Sequence, residues 1–170
     1  MPDLLEVSEF LELPQSGTIN PNRLRFAQPE ISKDFSNPVH GDVYKLATSL
    51  AANIGLAQSI PPIEIGEFNS MIWSFDTRRL AAFQMAKRIN DAVQVRYIKL
   101  TASGVKAKLD NFGANGSRGG LVIGVRQGGK HSTRLEHRNP DFEGYLLGSN
   151  LDLTNDEIAS ATRIINSLTG

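Results

Sequence analysis

Two periods divide this chain of 170 residues into elements. Alternation marks strands. "LRFAQ", Leu24 to Gln28, reads as a short strand ended by Pro29, and "IEIGEF" and "SMIWSF" read as two strands joined near Phe68-Asn69-Ser70, a hairpin. "VQVRYIKL", Val93 to Leu100, sets Val93, Val95 and Tyr97 on one face, and "GLVIGVR" is a glycine-edged strand. Helical spacing appears over Asp42–Asn53, where Val43, Leu46, Ala47 and Leu50 recur and Asp42 is the candidate cap. It appears again from Thr77 to Asn90, where Ala82, Met85, Ala86 and Ile89 form the expected buried stripe. "TASGVKAKLDNF" is a short helix, and "TNDEIASATRIINSL" opens with Thr154 and Glu157 in capping-box spacing.

"ISKDFSNPVHGD" reads as a loop, and seven glycines over residues 113–130 read as loops around the glycine-edged strand. Over residues 1–22, Leu4, Leu5, Phe10 and Leu11 can dock, but Pro14, Gly17 and Pro21 interrupt any long element. The expected division is an N-terminal arm or linker over 1–22, a domain over 23–150 and a C-terminal helix over 151–170 packed on it. The order of elements predicts an α+β fold, a small mixed β-sheet with flanking helices.

Composition changes this picture little. Apolar content of 40% and charged content of 21% are ordinary for a globular chain, and the absence of cysteine excludes disulfides and thiolate metal sites. No apolar run approaches the ~20 residues that cross a bilayer, so no membrane partner is expected. "MPDLLEVSEF" lacks the basic start and apolar middle of a signal peptide. Charge changes the picture more. The net charge is zero, yet Ile72–Arg138 carries 13 Lys/Arg against Asp76, Asp91, Asp110 and Glu136. That segment is net +9, and the rest of the chain, with five basic and 14 acidic residues, is net −9. Such a segment suits a polyanion, with Lys106, Lys108 and Arg118 among its candidate contacts.

The chemistry concentrates at "SFDTRRLAAF", where a strand hands over to a helix. Asp76 stands at the N-cap position, able to accept from the N–H of Arg78 or Arg79. The first turn offers unsatisfied N–H groups at the positive end of a helix dipole, and Arg78 and Arg79 add two permanent cations. The combination describes an anion site. Arg78 lies four residues before Ala82 and is expected to point over the sheet, with Glu64 or Glu67 as candidate carboxylate partners. Arg79 is expected nearer the edge, beside Phe83. His40, His131 and His137 are the only histidines; the last two lack metal spacing, but either can serve as a general acid or base. Asp76 can also hold Mg²⁺ or another divalent metal through oxygen. "GANGSRGG" and "RQGGK" do not follow the phosphate-loop pattern of strand, glycine turn and helix.

"RFAQPEIS" followed by "LATSLAANIGLAQSIPPIEIGEFNSMIWSFDTRRLAAFQMA" resembles the ParB/sulfiredoxin superfamily. Its members carry a strand with a Gln-Pro-like element, a helix, a Pro-Ile-x-Val strand, a hairpin and an Arg-Arg or His-Arg box that opens a helix. The likeness spans roughly residues 23–100 and is best over 60–86. It is nearest to the ParB-like nuclease domains of bacterial polymorphic toxins, which have Leu-Asp-Asn-Arg-Arg-Leu where this chain has Phe75-Asp76-Thr77-Arg78-Arg79-Leu80. Thr77 replaces the Asn, and the glycine of the Gly-Glu-Arg-Arg form is absent. The resemblance implies a ParB/sulfiredoxin-like fold and a toxin nuclease that cleaves phosphodiester bonds, with DNA favoured over RNA. It also implies action in a bacterial cytoplasm and a cognate immunity protein. Asp76, Arg78, Arg79, His131 and His137 become the expected catalytic group. The alternatives are a nucleotide- or nucleic-acid-binding module without turnover, and an interaction protein whose arginines are paired internally and whose acidic flanks bind a basic partner.

Overall fold

A computed structural model describes residues 4–28, 30–32, 43–112, 122–126 and 142–147; in Glu30–Ser32, Tyr44, 111–112 and the last two segments it describes the backbone alone. The chain runs through α1 (Val7–Glu12), β1 (Ser16–Ile19), a 3₁₀ turn (Pro21–Arg23), β2 (Arg25–Phe26) and β3 (Glu30–Ser32). It continues through α2 (Val43–Ala52), a second 3₁₀ segment (Ile54–Ser59), β4 (Ile63–Phe68), β5 (Met71–Ser74) and α3 (Thr77–Ile89). Then come β6 (Val95–Lys99), α4 (Ala102–Phe112), β7 (Val122–Arg126) and β8 (Phe142–Leu147). The fold is α+β, with a mixed five-stranded sheet in the order β1-β6-β4-β5-β2 and flanking helices. The expectation of one sheet needs correcting, because β3, β7 and β8 form a second, in the order β3-β7-β8. β3 overlaps the start of the stretch expected to be a loop, at Ile31 and Ser32.

The register sorts side chains between the two faces of the larger sheet. Ile65 lies opposite Ser74, Phe26 beside Ser74, Ile63 beside Tyr97, and Ile19 opposite Val95. These residues share one face, and the apolar ones join Leu46 and Leu50 of α2 and Leu80, Ala81, Phe83 and Met85 of α3 in a single core. Gly66 and Trp73, paired across the hairpin, face the other way, where α4 packs. The packing there is close enough that a Cβ on Gly66 would overlap Val105 Cγ2.

The reading of residues 1–22 as an arm or linker does not hold for Leu4 onward. β1 is an edge strand paired antiparallel with β6, and Leu5 and Phe10 are core residues. Polar ties reinforce this. Tyr97 Oη donates to Pro14 O at 3.1 Å, and Lys99 Nζ donates to Leu13 O at 3.1 Å while lying over the Phe10 ring. Burying Leu5 and Phe10 contributes about 1.5–3 kcal/mol each toward the entropy of ordering this segment, and the β1–β6 pairing and these polar ties add to it. The expected C-terminal helix and Asp42 cap lie outside the described residues.

Candidate functional site

The hairpin and α3 place the site. Asn69 and Ser70 both have positive φ, 55° and 62°, as a two-residue turn between right-twisted strands requires. β5 then runs back along β4 and ends at Ser74, and α3 starts three residues later. Phe75 N–H donates to Glu64 O at 3.0 Å, extending the hairpin ladder by one step. At the next step a side chain takes over: Glu64 N–H donates to Asp76 Oδ2 at 2.6 Å. The other carboxylate oxygen, Oδ1, accepts from Arg79 Nη2 at 2.9 Å. Arg79 Nη1 reaches Pro61 O at 2.9 Å and Pro62 O at 3.3 Å.

Two expectations are thereby corrected. Asp76 occupies the N-cap position of α3, but its side chain caps nothing, because both oxygens are engaged by β4 and Arg79. Arg79, expected at the edge beside Phe83, is tied down on both sides. It is a brace that ties α3 to the carbonyls leading into β4. The helical wheel erred because α3 has no single buried stripe: Thr77 and every residue from Leu80 to Lys87 are buried, enclosed by the sheet, α2 and the Pro21–Arg23 turn. Arg78 is half-buried in the same first turn and makes contacts of its own.

Glu64 carries the chain of contacts further. Its carboxylate pairs with Lys108 Nζ of α4 at 3.0 Å, both side chains being about 30% exposed. Glu64 is therefore committed to Lys108 where a pairing with Arg78 was considered, and Glu67 lies exposed near the end of β4. Asp76, Arg79, Glu64 and Lys108 form one connected group, with Lys106 two residues earlier on α4 in an exposed pair with Asp110. His40, Arg118, His131 and His137 lie outside the described residues.

Sequence reasoning missed three polar residues. Thr77 Oγ1 donates to Gln28 Oε1 at 3.2 Å, tying the first turn of α3 to the end of β2. Ser74 Oγ is fully buried without a hydrogen-bond partner among the described residues. Gln84 is buried in mid-helix, where its Nε2 donates to Pro21 O and Leu24 O. A Gln at the end of the "LRFAQ" strand was the only advance signal of the first, and nothing in the local sequence marks the others.

What the group can do follows from its electrostatics. The first-turn amides of a 13-residue helix receive no cap from the Asp76 side chain, and the dipole is positive there. Both Asp76 oxygens are engaged, one by the Glu64 amide and the other by the Arg79 guanidinium, and the neighbouring carboxylate of Glu64 pairs with Lys108. Among the described residues no three His, Asp or Glu side chains gather as metal ligands. Several cations of the basic segment serve the fold. Lys87 donates to Val93 O at the end of α3, and Arg96 Nη2 donates to Ile60 O at 2.6 Å. No helix among the described residues is long and apolar enough to cross a membrane. The chain matches no family model, no curated protein and no solved structure.

Proposed function

We propose that this chain is a ParB/sulfiredoxin-like domain that receives a phosphodiester at the start of α3 and cleaves it, as the nuclease domain of a bacterial toxin acting on DNA. The supporting observation is the diverted cap. A carboxylate at the N-cap position would satisfy a first-turn amide and repel an anion, but Asp76 is turned onto Glu64 N–H and Arg79, so the N-cap side chain does not cap the α3 amides. Arg78 adds a guanidinium with donors enough to keep its own contacts and take a phosphate oxygen. Lys106, in an exposed ion pair worth ~0.2–1 kcal/mol, can exchange its carboxylate for a backbone phosphate. A cognate inhibitor of this domain would bring acidic residues to the same surface.

A second reading, binding without turnover, is favoured by one observation. Both carboxylates of the group, Asp76 and Glu64, are held by cations, so neither is poised to activate water. Incubation with supercoiled plasmid DNA and Mg²⁺ separates the two. The nuclease reading predicts nicking by the wild type and a loss of about 10²-fold in Arg78→Ala, the scale of removing one transition-state donor. Salt-sensitive DNA retention without nicking selects the binding module. Neither retention nor nicking overturns both.

A further inference from the structure

Away from α3, a groove of 830 Å³ opens between the start of α1 and the β4–β5 hairpin. Leu4, Val7 and Met71 give it apolar walls; the Glu6 and Glu67 carboxylates line it too, with Arg25, which is engaged in contacts of its own. Every lining residue precedes Ile72 and so belongs to the acidic part of the chain. Glu6 and Glu67 form no ion pair among the described residues. A second observation points to the same place. Three large apolar residues are exposed among the described ones, and two, Leu11 on α1 and Phe68 on the hairpin, stand on the elements that frame this groove. Leu11 is 70% exposed and lies one turn beyond Val7 on the same side of α1, so the apolar line outruns the cavity. Phe68 pairs with Met71, a lining residue of the groove, across the hairpin.

We infer that this face docks a basic, amphipathic peptide segment of a partner protein. Apolar side chains of the segment would lie along Leu11, Val7, Met71 and Phe68, and its lysines or arginines would meet Glu6 and Glu67. The apolar line is too long for a small amine, and the acidic rim excludes a nucleic acid. This surface is independent of the anion site at α3 and does not require the nuclease reading.

The test measures binding by fluorescence anisotropy, using a labelled peptide of alternating lysine and leucine and a matched peptide with glutamate for lysine. The expected result is salt-sensitive binding of the lysine peptide, weakened about tenfold or more by Glu6→Lys with Glu67→Lys, and reduced by Leu11→Ser at unchanged salt dependence. Glu6→Gln with Glu67→Gln gives an intermediate loss and guards against misfolding in the charge-reversed form. Equal binding of the lysine peptide to wild type and the reversed variant overturns the proposal, as does no binding at about 1 mM, a very weak affinity for a docking site. Wild-type dimerisation that the reversal abolishes, without peptide binding, assigns the groove to a second copy and also overturns it.

Discussion

Arg78 and Arg79 are neighbours with different duties. Arg79 makes three hydrogen bonds that join Asp76, Pro61 and Pro62, while Arg78 stands outside that brace. Arg79→Lys keeps the charge but loses the planar fork that spans carboxylate and carbonyls. We expect it to lower stability by about 1–3 kcal/mol, the range for a partly buried charge-assisted bond. Chemical denaturation of the variant beside the wild type checks this; equal midpoints would contradict it. Asp76→Asn should also destabilise, but by less, because an amide oxygen can still accept from Glu64 N–H while the ion pair is lost. The sequence singled out the pair of arginines at the strand-to-helix junction. It did not show which one is structural, because that depends on where the Pro61 and Pro62 carbonyls stand in space.

Strong periodicity made α2, α3, α4, the β4–β5 hairpin, β6 and β7 legible within a residue or two. α1, β1, β3 and β8 were not. β1, "SGTI", is a four-residue edge strand with a glycine, and β3 has three residues, too few for alternation to register. Such strands are held by their neighbours and not by local preference. Two substitutions test element-level packing. Ser70→Gly should raise stability by about 0.5–1 kcal/mol, since Ser70 now bears a positive φ that glycine adopts without strain. Gly66→Ala should lower it by about 1–3 kcal/mol through the clash with Val105, and Gly66→Ala with Val105→Ala should recover part of that loss. Thermal melts decide both. Tyr97 links β6 to the N-terminal segment, and burial raises its phenol above the usual range. The folded state therefore holds this proton more tightly than the unfolded chain. The contribution is full below the unfolded value of about 10 and is lost as pH rises through the folded one. Tyr97→Phe should flatten the alkaline fall in stability; an unchanged alkaline limb would contradict the assignment.

At the scale of the molecule, charge is segregated along the sequence, +9 against −9, but the fold consumes part of it. Arg79, Lys87, Arg96, Lys99 and Lys108 each tie two parts of the structure together. A charge count alone overstates the cations available to a ligand, and carbonyl partners cannot be read from a sequence. The proposed anion site at α3 rests instead on one local event, the turning of Asp76 away from the helix it precedes. The most direct test follows the backbone amides of Thr77, Arg78 and Arg79 by NMR while a short DNA oligonucleotide is added at low salt. The account predicts that these three resonances move most, with Lys106 next, and that Arg78→Ala reduces the shifts without altering the rest of the spectrum. Unmoved first-turn amides, with shifts gathered elsewhere on the surface, would contradict it.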